Sequence, residues 1–131
     1  MSLTAFIQTQ GPQGPKGPGV YALVTGDQST NLATPTVFGV EQFTFSNNPS
    51  VFRCVASAPT GYTMNVRITD LTAGGTVLLV VSTNSTSPVA LTGNFVPLSA
   101  TPRLYSVEGY LSGGVPNTGT IGHCYSAYVE A

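Results

Sequence analysis

The chain has 131 residues, which is enough for one domain of ordinary size and too short for two. Asp, Glu, Lys and Arg make up only 7% of the residues, against roughly 25% in a typical globular protein, and the formal net charge is −1. This composition excludes a highly charged disordered tail, and it provides no field that would hold nucleic acid or an anionic membrane surface.

The chain begins with a short mixed segment, residues 1–10, which predicts an extended arm or an edge strand. The segment lacks the basic and apolar stretches of a secretion signal, so we expect synthesis in a cytosol without secretory export. Phe6 is the aromatic residue of this arm and is therefore its candidate contact residue.

Residues 11–19 form three Gly-X-Y triplets, each with proline at X. In a collagen triple helix only glycine fits at the crowded axis, so glycine must recur at every third position. Three triplets can sit in a triple helix only if a trimeric head clamps the chains, and the alternative is a stiff linker in a single chain. The candidate contact residues of this collar are Pro12, Pro15, Lys16 and Pro18. The pattern divides the chain into an N-terminal arm, residues 1–19, and a β domain, residues 20–131.

The β domain carries strand-like runs separated by Gly, Pro, Asn and Ser, and no window has helical spacing. Residues 20–46 are apolar but interrupted. Residues 62–69 alternate cleanly, with Tyr62, Met64, Val66 and Ile68 on one face. The turn residues that follow and the apolar run of 76–82 predict a hairpin. Further runs cover residues 42–46, 51–57, 89–98, 103–111 and 121–129.

Seven or eight short strands at this spacing predict an all-β fold, an antiparallel two-sheet β-sandwich preceded by the extended N-terminal arm. The pattern leaves jelly-roll and immunoglobulin-like topologies open. The jelly roll is favoured slightly because eight strands can be counted.

Two cysteines, Cys54 and Cys124, lie on predicted strands. They can form a disulfide or remain as buried reduced thiols, and the lack of a secretion signal favours buried thiols. The single histidine, His123, is adjacent to Cys124, and neighbours on a strand point to opposite faces, which is unsuited to a shared metal.

Catalytic patterns are missing from the sequence. No serine lies in a Gly-x-Ser-x-Gly elbow, the five carboxylates are scattered singly, and no phosphate-binding loop precedes a helix. We therefore expect no enzyme, no cofactor, no metal site and no catalytic residue. Arg67 and Asp70 are expected to form a local ion pair at a strand end, and Arg53, Arg67 and Arg103 are expected to share one solvent face.

Six tyrosines are the best candidates for contact with a partner. Aromatic side chains are enriched at protein interfaces and stack on sugar rings, although in a chain without tryptophan each can instead fill the core. We select Tyr21, Tyr110 and Tyr128. The last two lie opposite the apolar faces of their predicted strands.

The order of the chain, with its Gly-Pro triplets, then Val20-Tyr21-Ala22, then a charge-poor β domain, resembles the layout of collagen-stalked trimeric heads. Spore-surface glycoproteins and complement-type or tumour necrosis factor-like heads share that layout. The resemblance implies a homotrimer on a surface and, as an alternative function, a carbohydrate-binding or adhesion module with a host glycan as its partner.

A second resemblance covers residues 43–129. The run from Tyr62 to Leu78 (YTMNVRITDLTAGGTVL) is similar to strand-turn-strand segments in β-sandwich domains of tailed-phage and other virion structural proteins. Such domains decorate capsids or build fibres, commonly as trimers. This resemblance implies no catalytic residue.

Together these features predict a virion structural protein, either a capsid decoration (cement) protein or a head-fibre subunit. We expect it on the capsid surface after synthesis in the host cytoplasm. The expected partners are further copies of the chain, as a homotrimer, and the major capsid or another shell protein, with no nucleic acid and no membrane. The shortage of charge supports this, because a small monomer with few charges is poorly protected against association.

Overall fold

The structure is a computed structural model, and it describes residues 19–44 and 50–130. The described residues contain nine strands, numbered in chain order: β1 Val20–Val24, β2 Gln28–Thr30, β3 Thr36–Phe43, β4 Ser50–Ser57, β5 Thr63–Asp70, β6 Thr76–Thr83, β7 Val89–Phe95, β8 Arg103–Ser112 and β9 Gly122–Glu130. The predicted arm and collar, with Phe6, Pro12, Pro15, Lys16 and Pro18, lie outside the described residues. The division of the chain after residue 19 stays a prediction.

The strands form two antiparallel sheets that pack face to face. One sheet has the order β1-β9-β4-β7, with the short β2 also paired to β9, and the other has the order β3-β8-β5-β6. From β2 onwards, every connection except the β5–β6 hairpin crosses from one sheet to the other. This is the double Greek key of a jelly roll. The predicted two-sheet antiparallel sandwich is confirmed, and the jelly roll is the topology it adopts.

The hydrophobic core lies between the sheets and is built by alternate residues of the central strands. The largest fully buried side chains include Tyr105, Phe43, Phe52, Met64 and Ile68. Because successive side chains on a strand point to opposite faces, the remaining residues of the same strands form two outer faces. The alternation predicted for residues 62–69 is confirmed within β5, where Met64, Val66 and Ile68 are buried in the core, whereas Tyr62 precedes the strand and is only partly buried.

Close approach of the two sheets at one corner requires a glycine. A Cβ atom at Gly39, in β3, would overlap the backbone carbonyl of Leu23, in β1. A backbone atom cannot move aside as a side chain can, so any larger residue would push the two strands apart.

The β5–β6 hairpin turns through residues 71–75, as predicted. Asp70 Oδ1 accepts a 2.9 Å hydrogen bond from the amide of Ala73, and the carbonyl of Asp70 accepts one of 3.0 Å from the amide of Gly75. Gly74 and Gly75 have φ of 73° and 87°, a region that side chains disfavour, which explains the paired glycines.

Both edge strands of the β3-β8-β5-β6 sheet contain a β-bulge. The extra residue is Phe38 in β3 and Leu78 in β6, as the register against the neighbouring strands shows. Since a bulge adds one residue, side chains three positions apart then point to the same side of the sheet. The bulges therefore place four valines on the outer face: Val37, Val40, Val77 and Val80.

Candidate interaction surfaces

The outer face of the β3-β8-β5-β6 sheet presents a group of exposed aliphatic side chains, and we name it the aliphatic face. Two of them come from β3, two from β6 and one from β8. Each is between 37% and 56% exposed: Val37, Val40, Val77, Val80 and Leu104. Single exposed apolar residues are normal on soluble proteins, whereas several on one sheet face indicate a contact surface.

The centre of the aliphatic face is polar but internally paired. Arg67 Nη2 lies 2.8 Å from Glu108 Oε1, and the Ser106 hydroxyl donates a 2.9 Å hydrogen bond to Glu108 Oε2. The side chains of Arg67 and Glu108 are only 23% and 9% exposed. The two charges cancel each other within the sheet, so this part of the face is neutral.

Asn65 pairs further polar groups of the same face. Its Nδ2 donates to Ser112 Oγ at 3.0 Å and to the carbonyl of Tyr110 at 3.2 Å, and Ser82 Oγ donates to its Oδ1 at 2.7 Å. Polar atoms that already have protein partners lose little when water is removed. A partner can therefore cover the aliphatic face without leaving these groups unpaired.

The predicted contact residue Tyr110 lies on the aliphatic face and is half-buried. The guanidinium carbon of Arg67 is 5.8 Å from the centroid of its ring. At this distance a cation–π contact holds the ring in place and contributes about 0.5–1 kcal/mol at an exposed site. The structure therefore places Tyr110 where the sequence analysis expected it, on the side of β8 opposite the core.

The outer face of the other sheet, β1-β9-β4-β7, has a different character, and we name it the tyrosine face after Tyr125 and Tyr128. It contains a shallow groove of about 230 Å³. Six outward-pointing side chains of β4, β7 and β9 line the groove: Arg53, Val55, Ala90, Thr92, Ser126 and Tyr128. Arg53 and Tyr128 are cross-strand partners on β4 and β9, and the smaller side chains of β4, β7 and β9 beside them leave the depression. The predicted contact residue Tyr128 thus forms a wall of the groove.

Arg53 also forms an ion pair at the rim of the groove. Its Nε lies 3.0 Å from Glu130 Oε2, and the two side chains are 42% and 38% exposed. Water reaches both partners, so the pair contributes about 0–1 kcal/mol to stability. Arg53 lines the groove, and Glu130 lies next to Arg53, outside the lining residues.

A second polar cluster on the tyrosine face surrounds His123. Its Nδ1 lies 2.9 Å from Asp27 Oδ1, and its ring stacks on Tyr125 with the centroids 5.5 Å apart. Nucleophilic catalysis would need a hydroxyl bonded to this imidazole. The cross-strand neighbour, Ser57, instead shares a 3.0 Å hydrogen bond with the hydroxyl of Tyr125. The cluster attaches the β1–β2 turn to β9. As expected, Cys124 points away from His123 into the core.

The expected ion pair between Arg67 and Asp70 is wrong. The two positions are three residues apart on β5, so Arg67 points to the aliphatic face and Asp70 points inward. Asp70 is fully buried, and its Oδ2 lies 3.2 Å from Arg103 Nε, an ion pair without the angles of a hydrogen bond. The expectation that Arg53, Arg67 and Arg103 share one solvent face is also wrong, because Arg53 and Arg67 lie on opposite faces and Arg103 joins the buried pair.

Burial, reinforced by the charge of Asp70, raises the pKa of Tyr105 to about 12.

The remaining predicted site residues belong to the core. Tyr21 stacks on the buried Phe43 with ring centroids 4.8 Å apart, so much of its ring is used in packing. Cys54 and Cys124 are free, buried thiols on the neighbouring strands β4 and β9. Burial raises the pKa of Cys54 to about 12 and that of Cys124 to about 11, which keeps both thiols protonated at neutral pH.

Within residues 19–44 and 50–130, no three His, Cys, Asp or Glu side chains are grouped so that they could hold a metal ion. The same residues contain no helix long and apolar enough to cross a membrane. The groove and the Asp27–His123 contact could not be predicted from the sequence, because both depend on the pairing of strands far apart in the chain.

These features define the class of protein: a jelly-roll β-sandwich with one aliphatic and one grooved outer face. No protein-family model matches the chain, and no curated protein matches it.

Solved structures share the fold. A mutant VP2 protein of infectious bursal disease virus, from derived T=1 particles, is similar over 86% of this chain and 31% of its own, with 12% identity and a TM-score of 0.55. The insecticidal delta-endotoxin Cry8Ea1 from Bacillus thuringiensis is similar over 78% of this chain and 19% of its own, with 11% identity and a TM-score of 0.53. The chain therefore spans less than a third of either protein.

A smaller protein also shows some likeness. The C-terminal CBM6 of LamC from Zobellia galactanivorans is similar over 86% of this chain and 99% of its own, with 11% identity and a TM-score of 0.45. At these identities the likenesses to the viral and toxin proteins establish the jelly-roll fold alone.

Proposed function

We propose that this chain is a structural subunit of a virion shell, of the capsid-decoration (cement) or head-fibre kind. In this proposal it acts through protein–protein contacts on the capsid surface and performs no catalytic step. The observation that carries the proposal is the aliphatic face, five exposed apolar side chains around a centre whose two charged residues already pair with each other.

The size of the aliphatic face supports a subunit contact. The four strands are 8 residues long or, for β8, 10 residues long. At about 4.8 Å between strands and about 3.3 Å per residue, their common length covers roughly 500 Å². A stable interface takes about 800 Å² from each partner. The aliphatic face thus provides more than half of one side, and we assign the remainder to adjacent loops and to the N-terminal arm with Phe6.

The proposed partners are other copies of this chain and the major capsid or another shell protein. The three Gly-Pro-X triplets support a homotrimer, because a triple helix brings three chains together immediately before the β domain. The fold supports the same function only in a general way, since a viral VP2 protein and a bacterial toxin share it.

Light scattering of the full chain after size-exclusion chromatography tests the proposal. We expect a trimer for the unchanged chain and sedimentation with shell particles that lack it. Val80→Asp places a charge on the aliphatic face and should abolish either the trimer or the particle contact. Val115→Asp is the matched control, because Val115 is 88% exposed in the β8–β9 loop, away from both sheets. A monomer that does not sediment with particles, or equal effects of the two variants, would contradict the proposal.

A further inference from the structure

The tyrosine face lies on the opposite side of the sandwich from the aliphatic face, and its groove has no part in the function proposed above. The groove combines one aromatic wall, two hydroxyl groups and Arg53, whose exposed ion-pair partner Glu130 lies beside the groove. Such a combination of an apolar surface with a few placed polar groups is typical of small-ligand sites.

The Arg53–Glu130 pair differs from the other two arginine–carboxylate pairs in the described residues. Glu108 is 9% exposed and Asp70 is fully buried, so those two pairs belong to the folded structure. Arg53 and Glu130 are 42% and 38% exposed, and their pairing adds little to stability. Of these three arginine–carboxylate pairs in the described residues, this one leaves its donors and acceptors most available to a ligand.

We propose that the groove binds one neutral pyranose ring of a glycan. The ring of Tyr128 offers an apolar surface for the C–H face of the sugar. The Arg53 guanidinium donates hydrogen bonds and the Glu130 carboxylate accepts them, which matches the neighbouring hydroxyls of a sugar, since each of those both donates and accepts. Thr92 and Ser126 add two further hydroxyls at the groove.

The charge and the size of the groove select the ligand class. The positive charge of Arg53 is compensated by Glu130, so an anion gains no net attraction and a neutral ligand is preferred. The groove holds about 230 Å³, below the roughly 300–1,000 Å³ of sites for drug-sized ligands, and this suits a single ring. A longer glycan would extend from the open groove into solvent.

The experiment uses the full chain and saturation-transfer NMR with lactose, maltotriose and cellotriose as separate probes. We expect at least one probe to bind with a Kd of about 1 mM, a usual strength for a small open site. Tyr128→Ala should weaken that binding about tenfold or more, because it removes the stacking surface. Tyr110→Ala is the matched control, since it removes a tyrosine from the aliphatic face and should leave sugar binding unchanged.

Thr92→Val provides a second test that preserves the shape of the side chain. Thr92 is exposed on β7, so this variant should fold even if Tyr128→Ala does not. We expect binding to weaken about threefold or more on loss of the hydroxyl. Absence of binding for all three sugars at about ten times the expected Kd would overturn the proposal. Stronger binding of glucuronate than of the neutral sugars, or equal weakening by Tyr110→Ala, would also overturn it.

Discussion

The buried ion pair of Asp70 and Arg103 leads to a stability prediction that can be worked out from the structure. Asp70 has no exposed side-chain surface, and it contacts both Arg103 Nε, at 3.2 Å, and the amide of Ala73, at 2.9 Å. Asp70→Ala removes both contacts. It leaves a guanidinium that is only 19% exposed without its counter-charge, at the end of the molecule where the β5–β6 turn is formed.

The expected loss follows from these two contacts. Removing one partner of a buried pair costs about 3–5 kcal/mol, and a hydrogen bond to a charged group contributes about 1.5–3 kcal/mol. Because some water still reaches Arg103, we take the lower end of the combined range and expect a loss of about 4.5 kcal/mol. This is a large share of the roughly 5–15 kcal/mol that stabilises a domain. Asp70→Asn keeps an acceptor for Ala73 and should lose about 3 kcal/mol.

Urea unfolding followed by circular dichroism measures these losses. The double variant Asp70→Ala with Arg103→Met tests the reason for them, because it also removes the orphaned charge. The double variant should be more stable than Asp70→Ala alone. A loss below about 1 kcal/mol for Asp70→Ala, or a double variant less stable than either single one, would refute the assignment of a stabilising buried pair.

Two further predictions concern packing and pH. Gly39→Ala should destabilise the fold by about 3 kcal/mol, because the added methyl group would overlap a backbone carbonyl. Gly26→Ala is the control, since Gly26 has open space around it, and should change the melting temperature little. Equal melting temperatures of the two variants would contradict the close approach of β1 and β3. Burial raises the pKa of Cys54 from 9.0 to about 12 and that of Tyr105 from 10.0 to about 12. Both groups therefore bind protons more tightly in the folded state, and their contribution to stability, present below pH 9, should be lost as the pH rises from 9 to 12. Urea titrations across that range check this, and Cys54→Ala with Tyr105→Phe should flatten the slope; an unchanged slope would contradict burial as its cause.

The sequence predicted the sandwich where local pattern and final structure agree. Residues 62–69 alternate because β5 is central in its sheet and buries one face completely. The β5–β6 hairpin could also be predicted, since Asp70, Gly74 and Gly75 form its turn by local contacts. The strand count favoured the jelly roll only slightly, because this topology depends on pairings such as β1 with β9, between Val20 and Glu130 at opposite ends of the described chain.

The two surfaces escaped prediction for a different reason. The bulges at Phe38 and Leu78 change the side on which the following residues lie, so simple alternation cannot show that Val77 and Val80 both point outward. The groove joins side chains of β4, β7 and β9, which are adjacent only in the folded sheet. The wrong prediction of an Arg67–Asp70 pair has a related cause. Two residues that are close in sequence on a strand can point to opposite faces of the sheet, as Arg67 and Asp70 do.

The location of the protein tests the central claim most directly. Quantitative mass spectrometry should be applied to purified particles and to the soluble fraction of the same lysate. The account predicts that most copies of the chain are recovered with the particles, in a fixed ratio to the shell protein. Recovery of the chain almost entirely in the soluble fraction, as a monomer, would contradict it.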